Sequence, residues 1–441
     1  LALLLACLAV RWGSSGKQPQ AGTVLAANDR QFWFKGNIHT HTLWSDGDDY
    51  PEMVALWYKE RGYHFLCFTD HNTLHNTERW IDLSNNKGGP EAYEKLKSRF
   101  PKGWVEERTT ARGVRQVRLK RFSEVEQLLA ETGKFLPIQG EEISDKLGRR
   151  PVHMNASNLQ VAVPPMGGET VYEIMQRITD AVEAQRERSG RPMLVHLNHP
   201  NFGFGVTAED LMRVRGENFF EVYNGHPSVD NDGTAQRAST ERMWDIILTR
   251  RITELGLPLM YGLAVDDGHN YHGIPSRQSE PGRGWIVVLA TELSTRALFQ
   301  AMELGRFYAS SGVALKRVVS TPERVELEVA TEPGVEYTIE FIGTRHGFDP
   351  ASEEVLDEQG APLKDQLGSL WPATRRYRAS IGQVLKTVKG AKAAYQFAGD
   401  EIYVRARVTS SRRHPNPSAP GEFERAWVQP SKGPAAQAYS L

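Results

Sequence analysis

Two histidines one residue apart, His39 and His41, end the apolar run Phe32, Trp33, Phe34, Ile38 and are followed by Ser45-Asp46-Gly47. Side chains alternate faces along a strand, so both imidazoles are expected on one face at a strand tip. Six later stretches repeat the arrangement, each an apolar run that ends in His, Asp, Glu or Asn. Residues 65–68 precede Asp70-His71, residues 136–138 precede Glu141-Glu142, and Val152 precedes His153. Leu194-Val195-His196-Leu197-Asn198-His199 follows, then 219–222 before Tyr223-Asn224, then 259–263 before Asp266-Asp267-Gly268-His269. Imidazoles and carboxylates gathered at successive strand ends are what a site for several metal ions requires. The only cysteines are Cys7 and Cys67, which excludes a disulfide framework and a thiolate metal site. Any metal must be held by His, Asp and Glu, a donor set suited to zinc, manganese or iron.

The stretch Asp48-Asp49-Tyr50-Pro51-Glu52 predicts a helix start, with Asp as cap and Pro in the first turn. Met53, Val54, Leu56 and Trp57 form its apolar stripe, and Gly62 ends it. A strand follows at once, so this is a strand-helix-strand unit whose crossover implies parallel strands. The candidate ligands then gather at the carboxyl ends of the strands, where parallel barrels carry their sites. Residues 76–134 interrupt the rhythm as an insertion, within which 108–121 carries six basic and no acidic residues. A run like that is expected to be a solvated charged face, with contact to an anionic substrate as the functional alternative. Helical spacing over 171–189 predicts a helix packed on a sheet. From about 313 onward, segments such as Val325-Glu326-Leu327-Glu328-Val329 alternate with period two, which predicts a small β-sandwich.

A chain of 441 residues suggests two domains, and 53 basic against 54 acidic residues give no global argument for nucleic acid or a membrane surface. Residues 1–10 are apolar and too short to span a bilayer. They are expected to be the end of an export signal, with Leu4-Leu5-Ala6-Cys7 loosely like a lipoprotein cleavage box and 11–30 a tether. The expected location is therefore outside the cytoplasm, with a membrane tether through the N-terminus. The expected division is 1–30 leader and tether, 31–312 barrel with its insertion, and 313–441 β domain.

The ordered set of motifs resembles the polymerase and histidinol phosphatase (PHP) metallohydrolase family over residues 36–312, nearest its carbaryl-hydrolase-like branch. His39-x-His41 with Ser45-Asp46-Gly47, then Asp70-His71-Asn72, Gly140-Glu141-Glu142, His153, Asn198-His199-Pro200 and Asp267-Gly268-His269 carry the likeness. The resemblance implies an α/β fold, a distorted seven-stranded (β/α) barrel, with two or three divalent ions. It selects Glu142 over Glu141 and His199 over His196. By it, His39, His41, Glu142 and Asp267 hold one ion, and Glu142 shares a second with His153 and His199. Asp46, His71 and His269 hold a third. The activity implied is hydrolysis of an anionic small-molecule ester by a metal-bound hydroxide, with Glu142, Asp267 and His269 central to the chemistry. Phosphoric esters are the first expectation, carbamates, amides or carboxylic esters the second, and a non-enzymatic surface- or glycan-binding protein the third. Arg306 and Tyr308, in a Gly-flanked segment after the barrel, are the candidate substrate contacts. His64, His75, His196, His226, His272, His346 and His414 are expected at the surface or in packing, with orientation of a ligand as the alternative for His196 and His272, and Asn224 is a candidate to orient a ligand or substrate.

Overall fold

The computed structural model describes residues 23–25, 31–363 and 374–439. The expected leader and most of the tether lie outside these. Among the described residues no helix is long and apolar enough to cross a membrane.

The chain is a mixed α/β protein organised on one 13-stranded sheet. Its first half comprises β1 (Phe32–Asn37), β2 (Phe65–Phe68), β3 (Leu136–Leu147), β4 (Arg150–Ser157), β5 (Leu194–Leu197), β6 (Phe219–Asn224) and β7 (Tyr261–Val265). These neighbour one another in that order. The runs β1-β2-β3 and β5-β6-β7 are parallel, as the crossovers predicted. The expectation of a uniformly parallel set fails at β4, which is antiparallel to both β3 and β5. The reason is local: only Gly148 and Arg149 join β3 to β4, and Gly148 takes φ +62°, so the connection is a hairpin with no room for a crossover helix.

This half of the sheet curls until the segments after β1 and β7 meet at the carboxyl tips. His41 N donates to Gly268 O at 3.0 Å, and Asp267 N donates to His39 O at 3.1 Å. Along its length β1 pairs instead with β8 (Trp285–Ala290), which leads through β9 (Phe307–Ser310) into the second half of the sheet. That half adds Phe423–Lys432, Glu401–Arg413, Tyr337–Arg345 and Gln383–Lys389. A four-stranded sheet of Thr23–Leu25, Leu315–Ser320, Arg324–Val329 and Lys392–Gln396 faces it. Between the two layers lie Val318, Val325 and Leu327 on one side and Ile339, Phe341, Val404, Ala406 and Val408 on the other. Burial alternates along Arg324–Val329, the signature of a strand with one wet face. Residues 23–25, within the expected tether, are thus an edge strand antiparallel to Leu315–Ser320.

Helix α1 (Pro51–Glu60) begins where the proline predicts, but its N-cap is Tyr50 and no side chain caps it. Asp48 accepts from Tyr271 N instead, at 2.8 Å, and so ties the loop after His41 to the loop after Asp267. Residues 171–189 form the expected helix, capped by Thr170 through Glu173 N. The insertion builds a three-stranded sheet and a core around Trp44, Leu96, Val117 and Leu119. Four of the six basic residues of 108–121 are paired locally: Arg118 and Lys120, both buried, with Glu106, Arg115 with Glu107, and Arg121 with Glu124.

Candidate metal centre

The strand tips deliver their polar side chains to one buried point, Glu142. Five imidazoles approach its carboxylate: His39 at 3.3 Å, His41 at 3.2 Å, His71 at 3.0 Å, His153 at 2.9 Å and His199 at 3.3 Å. Asp267 closes the opposite side, with Oδ1 3.3 Å from His39 Nε2 and 3.1 Å from His41 Nε2. Its backbone takes φ +51°, a left-handed turn that Asp tolerates, and the chain leaves the strand there. Asp266 consequently points away, accepting from Tyr58 Oη at 2.9 Å and from Gly284 N at 2.8 Å. Glu141 also faces away, bonded to Val163 N, and burial pushes its carboxyl up to about 7. Of each acidic pair, the second member meets the imidazoles.

A second group forms at the rim around Asp46 Oδ1, which lies 3.3 Å from His269 Nε2, 3.5 Å from His71 Nε2 and 3.7 Å from His41 Nδ1. The loop that carries Asp46 is held by Asp70, which accepts from Thr42 N at 2.8 Å and Ser45 Oγ at 2.6 Å, with His75 Nε2 2.6 Å behind it. Gly47 must be glycine, since a Cβ would sit 2.6 Å from the His41 carbonyl oxygen. His153 and His199 both reach Glu142 Oε1, yet His199 groups with His39 and His153 with His71.

Ring nitrogens away from the cluster are anchored. His39 Nδ1 meets Glu221 Oε1 at 2.6 Å, and His269 Nδ1 donates to Asp267 O at 2.8 Å. Each bond puts the proton on Nδ1 and leaves Nε2 as a lone pair facing carboxylates, the arrangement that orients histidine toward a metal. Glu221 also accepts from His199 N and Asn224 Nδ2, and it contacts His196 Nε2 at 3.3 Å.

These residues fit a metal. His41 Nε2 is buried between two carboxylate oxygens and has no hydrogen-bond partner among the described residues, an orphaned atom that a cation between them would satisfy. Electrostatics agree. Burial opposes ionisation of Glu142 and Asp267, but the surrounding imidazoles outweigh it and hold both carboxyls well below the usual range. Burial likewise opposes charge on His41, but Asp267 and Glu142 outweigh it and raise the imidazole to about 10. The site demands positive charge, which protons or divalent ions can supply.

Each of the nine expected ligand positions lies in this cluster. The two expected substrate contacts do not. Tyr308 is buried between the sheets, its hydroxyl accepting from Leu315 N at 3.1 Å and its ring against Trp33. Arg306 O accepts from Leu289 N, at the end of β8 beside Phe32 and opposite the histidine tips. Strand β8 runs antiparallel to β1 and so ends away from the tips, and β9 starts at that far end with Arg306 just before it. Sequence reasoning missed Glu221 and Asp70 as anchors, although both sit in strand-end stretches of the kind that marked the ligands. It also placed His226 away from the site. Its ring centroid lies 5.6 Å from that of His269. Lys87 of the insertion reaches the rim, 3.8 Å from Asp46 Oδ2.

Solved structures similar to this chain include the following two. One is a two-domain protein containing a predicted PHP-like metal-dependent phosphoesterase from Bacteroides vulgatus ATCC 8482, at 13% identity and TM-score 0.40, covering 91% of this chain and 96% of that one. The other is described as a metal-dependent phosphoesterase from Bifidobacterium adolescentis ATCC 15703, at 13% identity and TM-score 0.26, covering 54% of this chain and 89% of that one. Likeness at this level carries no argument about activity. No family model and no curated protein matches the chain.

Proposed function

We propose that this chain is a metal-dependent hydrolase of the PHP type acting on phosphoric esters. The observation that carries the reading is the convergence of five imidazoles on the buried carboxylate of Glu142. A lone buried carboxylate needs one cationic or donor partner, whereas five ligating rings around it suit an ion-bridging role. His39, His41 and Asp267 with Glu142 would hold one ion, Glu142 with His153 and His199 a second, and Asp46, His71 and His269 a third. Zinc, manganese or iron bound there supplies Lewis-acid polarisation and a water ionised near neutral pH. The chain's own part is to fix that geometry: Glu221 and the Asp267 carbonyl orient His39 and His269, and Asp70 holds the Asp46 loop. Clustered cations suit an anionic ester, because they neutralise its oxygens directly. An exported, N-terminally tethered enzyme of this kind would meet small-molecule esters outside the cytoplasm.

The test is metal analysis joined to a substrate panel. Mass-spectrometric analysis should find two or three transition-metal ions per chain after purification without chelator. Fewer than one ion, even after manganese or zinc supplementation, would sink the reading. Bis-(4-nitrophenyl) phosphate and 4-nitrophenyl phosphate should be cleaved in preference to 4-nitrophenyl acetate, and the reverse order would move the activity to carboxylic esters.

A further inference from the structure

The imidazole of His226 is outside the nine-residue set, yet it stands between His269, 5.6 Å away centroid to centroid, and Phe202, at 6.1 Å. Its loop is pinned to the metal-facing groups. Gly225 N donates to Val265 O at 2.9 Å, and His226 N donates to Asn224 Oδ1 at 2.8 Å. Asn224 Nδ2 in turn donates to Glu221 Oε2 at 2.8 Å and to Asp267 Oδ2 at 3.2 Å. A Cβ on Gly225 would lie 2.8 Å from Asp266 O and from Arg283 Cβ, so a glycine is needed for the loop to lie this close. The tautomer is set as well. His226 Nδ1 accepts from Ser228 N at 3.1 Å, so the neutral ring carries its proton on Nε2, on the edge turned away from its own loop. Among the described residues that N–H donates to no protein group. The ring is only partly covered.

We propose that His226 is a substrate-binding residue whose Nε2–H donates to an oxygen of the substrate's phosphoryl group, and of the phosphate product, without ligating metal. The inference rests on the phosphoesterase reading above. A protonated Nε2 has no lone pair for an ion, which separates His226 from His39 and His269, whose Nδ1–H bonds leave Nε2 bare. A neutral donor is the chemistry that fits beside bound cations: a second cation would be repelled by them, and an acceptor would be repelled by the anion. Phe202 adds an apolar ring beside both histidines, 5.1 Å from His199 and 6.1 Å from His226 centroid to centroid.

The test uses the full metal-loaded chain. Inorganic phosphate binding is measured by titration calorimetry, KM and kcat with the nitrophenyl phosphates, and metal content on the same samples. His226→Phe keeps a ring and removes the donor, while His226→Gln offers an amide N–H at about the reach of Nε2. Phosphate should bind His226→Phe about tenfold to a hundredfold more weakly, as expected when a hydrogen bond to a charged group is lost. KM should rise in step with metal content at the wild-type level, and His226→Gln should recover most of the loss. Equal phosphate affinity in wild type and His226→Phe overturns the inference alone. So does a fall in metal content that accounts for the defect, or a His226→Gln protein as weak as His226→Phe. A wild-type protein that neither binds phosphate nor cleaves either phosphate ester overturns the phosphoesterase reading, and this inference with it.

Discussion

Exchanging Glu142 for glutamine keeps the side chain's shape and removes its charge. Five ring nitrogens lie within 3.3 Å of that carboxylate, so no other single change touches as many expected ligands. Losing a group that merely orients a ligand costs about 10- to 100-fold in metal affinity. Glu142 would contact the ions themselves, so Glu142→Gln should cost at least that, together with about a hundredfold or more in rate from the misplaced reacting groups. Glu141→Gln is the control, one residue away on the other face. Its carboxyl accepts from Val163 N, and burial already lifts it to about 7, so an uncharged replacement costs little. We expect Glu141→Gln to retain the full metal content and to lose less than about threefold in rate, well inside the scatter of single-group effects. Both proteins should be assayed for phosphate-ester hydrolysis and metal content, with circular dichroism to verify folding. Equal losses, or a larger loss at Glu141, would refute the assignment of Glu142 as the central carboxylate.

Three further predictions follow from contacts away from Glu142. Glu221→Gln removes the acceptor that fixes His39 Nδ1–H, and metal affinity measured by competition with a chelator should fall about 10- to 100-fold with the fold unchanged. Asp245 holds the buried Arg405 through two bonds of 2.8 Å, while Glu241 keeps a contact of 3.2 Å. Asp245→Ala should therefore destabilise by about 3 kcal/mol, the lower end for a broken buried pair, in urea unfolding, and Asp245→Leu with Arg405→Met should cost less than the single change. Glu217 is fully buried with one oxygen on Leu197 N, and burial lifts its carboxyl to about 8 from the usual 4.5. The folded state then keeps a proton that the unfolded chain releases. Its stabilisation is full below pH 4.5 and is lost as pH rises to about 8, at up to about 1.4 kcal/mol per pH unit. Denaturant titrations between pH 5 and 8 should show a shallower decline for Glu217→Gln, and parallel slopes would refute it.

The candidate ligand stretches were legible because strand ends follow local rules, while the choice of Glu142 over Glu141 and of His199 over His196 came from the family resemblance. Alternation along a strand puts His39 and His41 on one face, and a strand that stops at a turn presents its last polar residues there. Helix 171–189 was legible for the same reason, from the spacing of its apolar residues. The insertion's basic run was legible as a solvated charged face only in part: Arg115 and Arg121 are exposed, but Arg118 and Lys120 are buried against Glu106. By contrast, Arg306 and Tyr308 do not reach the cluster: strand pairing sets Arg306 at the far end of the sheet and sheet packing buries Tyr308, and proximity in sequence to the barrel encodes neither.

What the sequence determined by itself was therefore the chemistry of the strand tips: which residues could bind metal, and that they would share one edge. What only the tertiary structure decided was everything set by pairing between distant segments. The reversal of β4, the closure of Thr40 on Gly268, the placing of Glu221 under His39 across 182 residues, and the arrival of His226 at the rim are of that kind. Side-chain facing follows from the two-residue repeat of a strand, which each segment carries alone. Register and strand order follow from which surfaces bury one another, a property that no single segment contains.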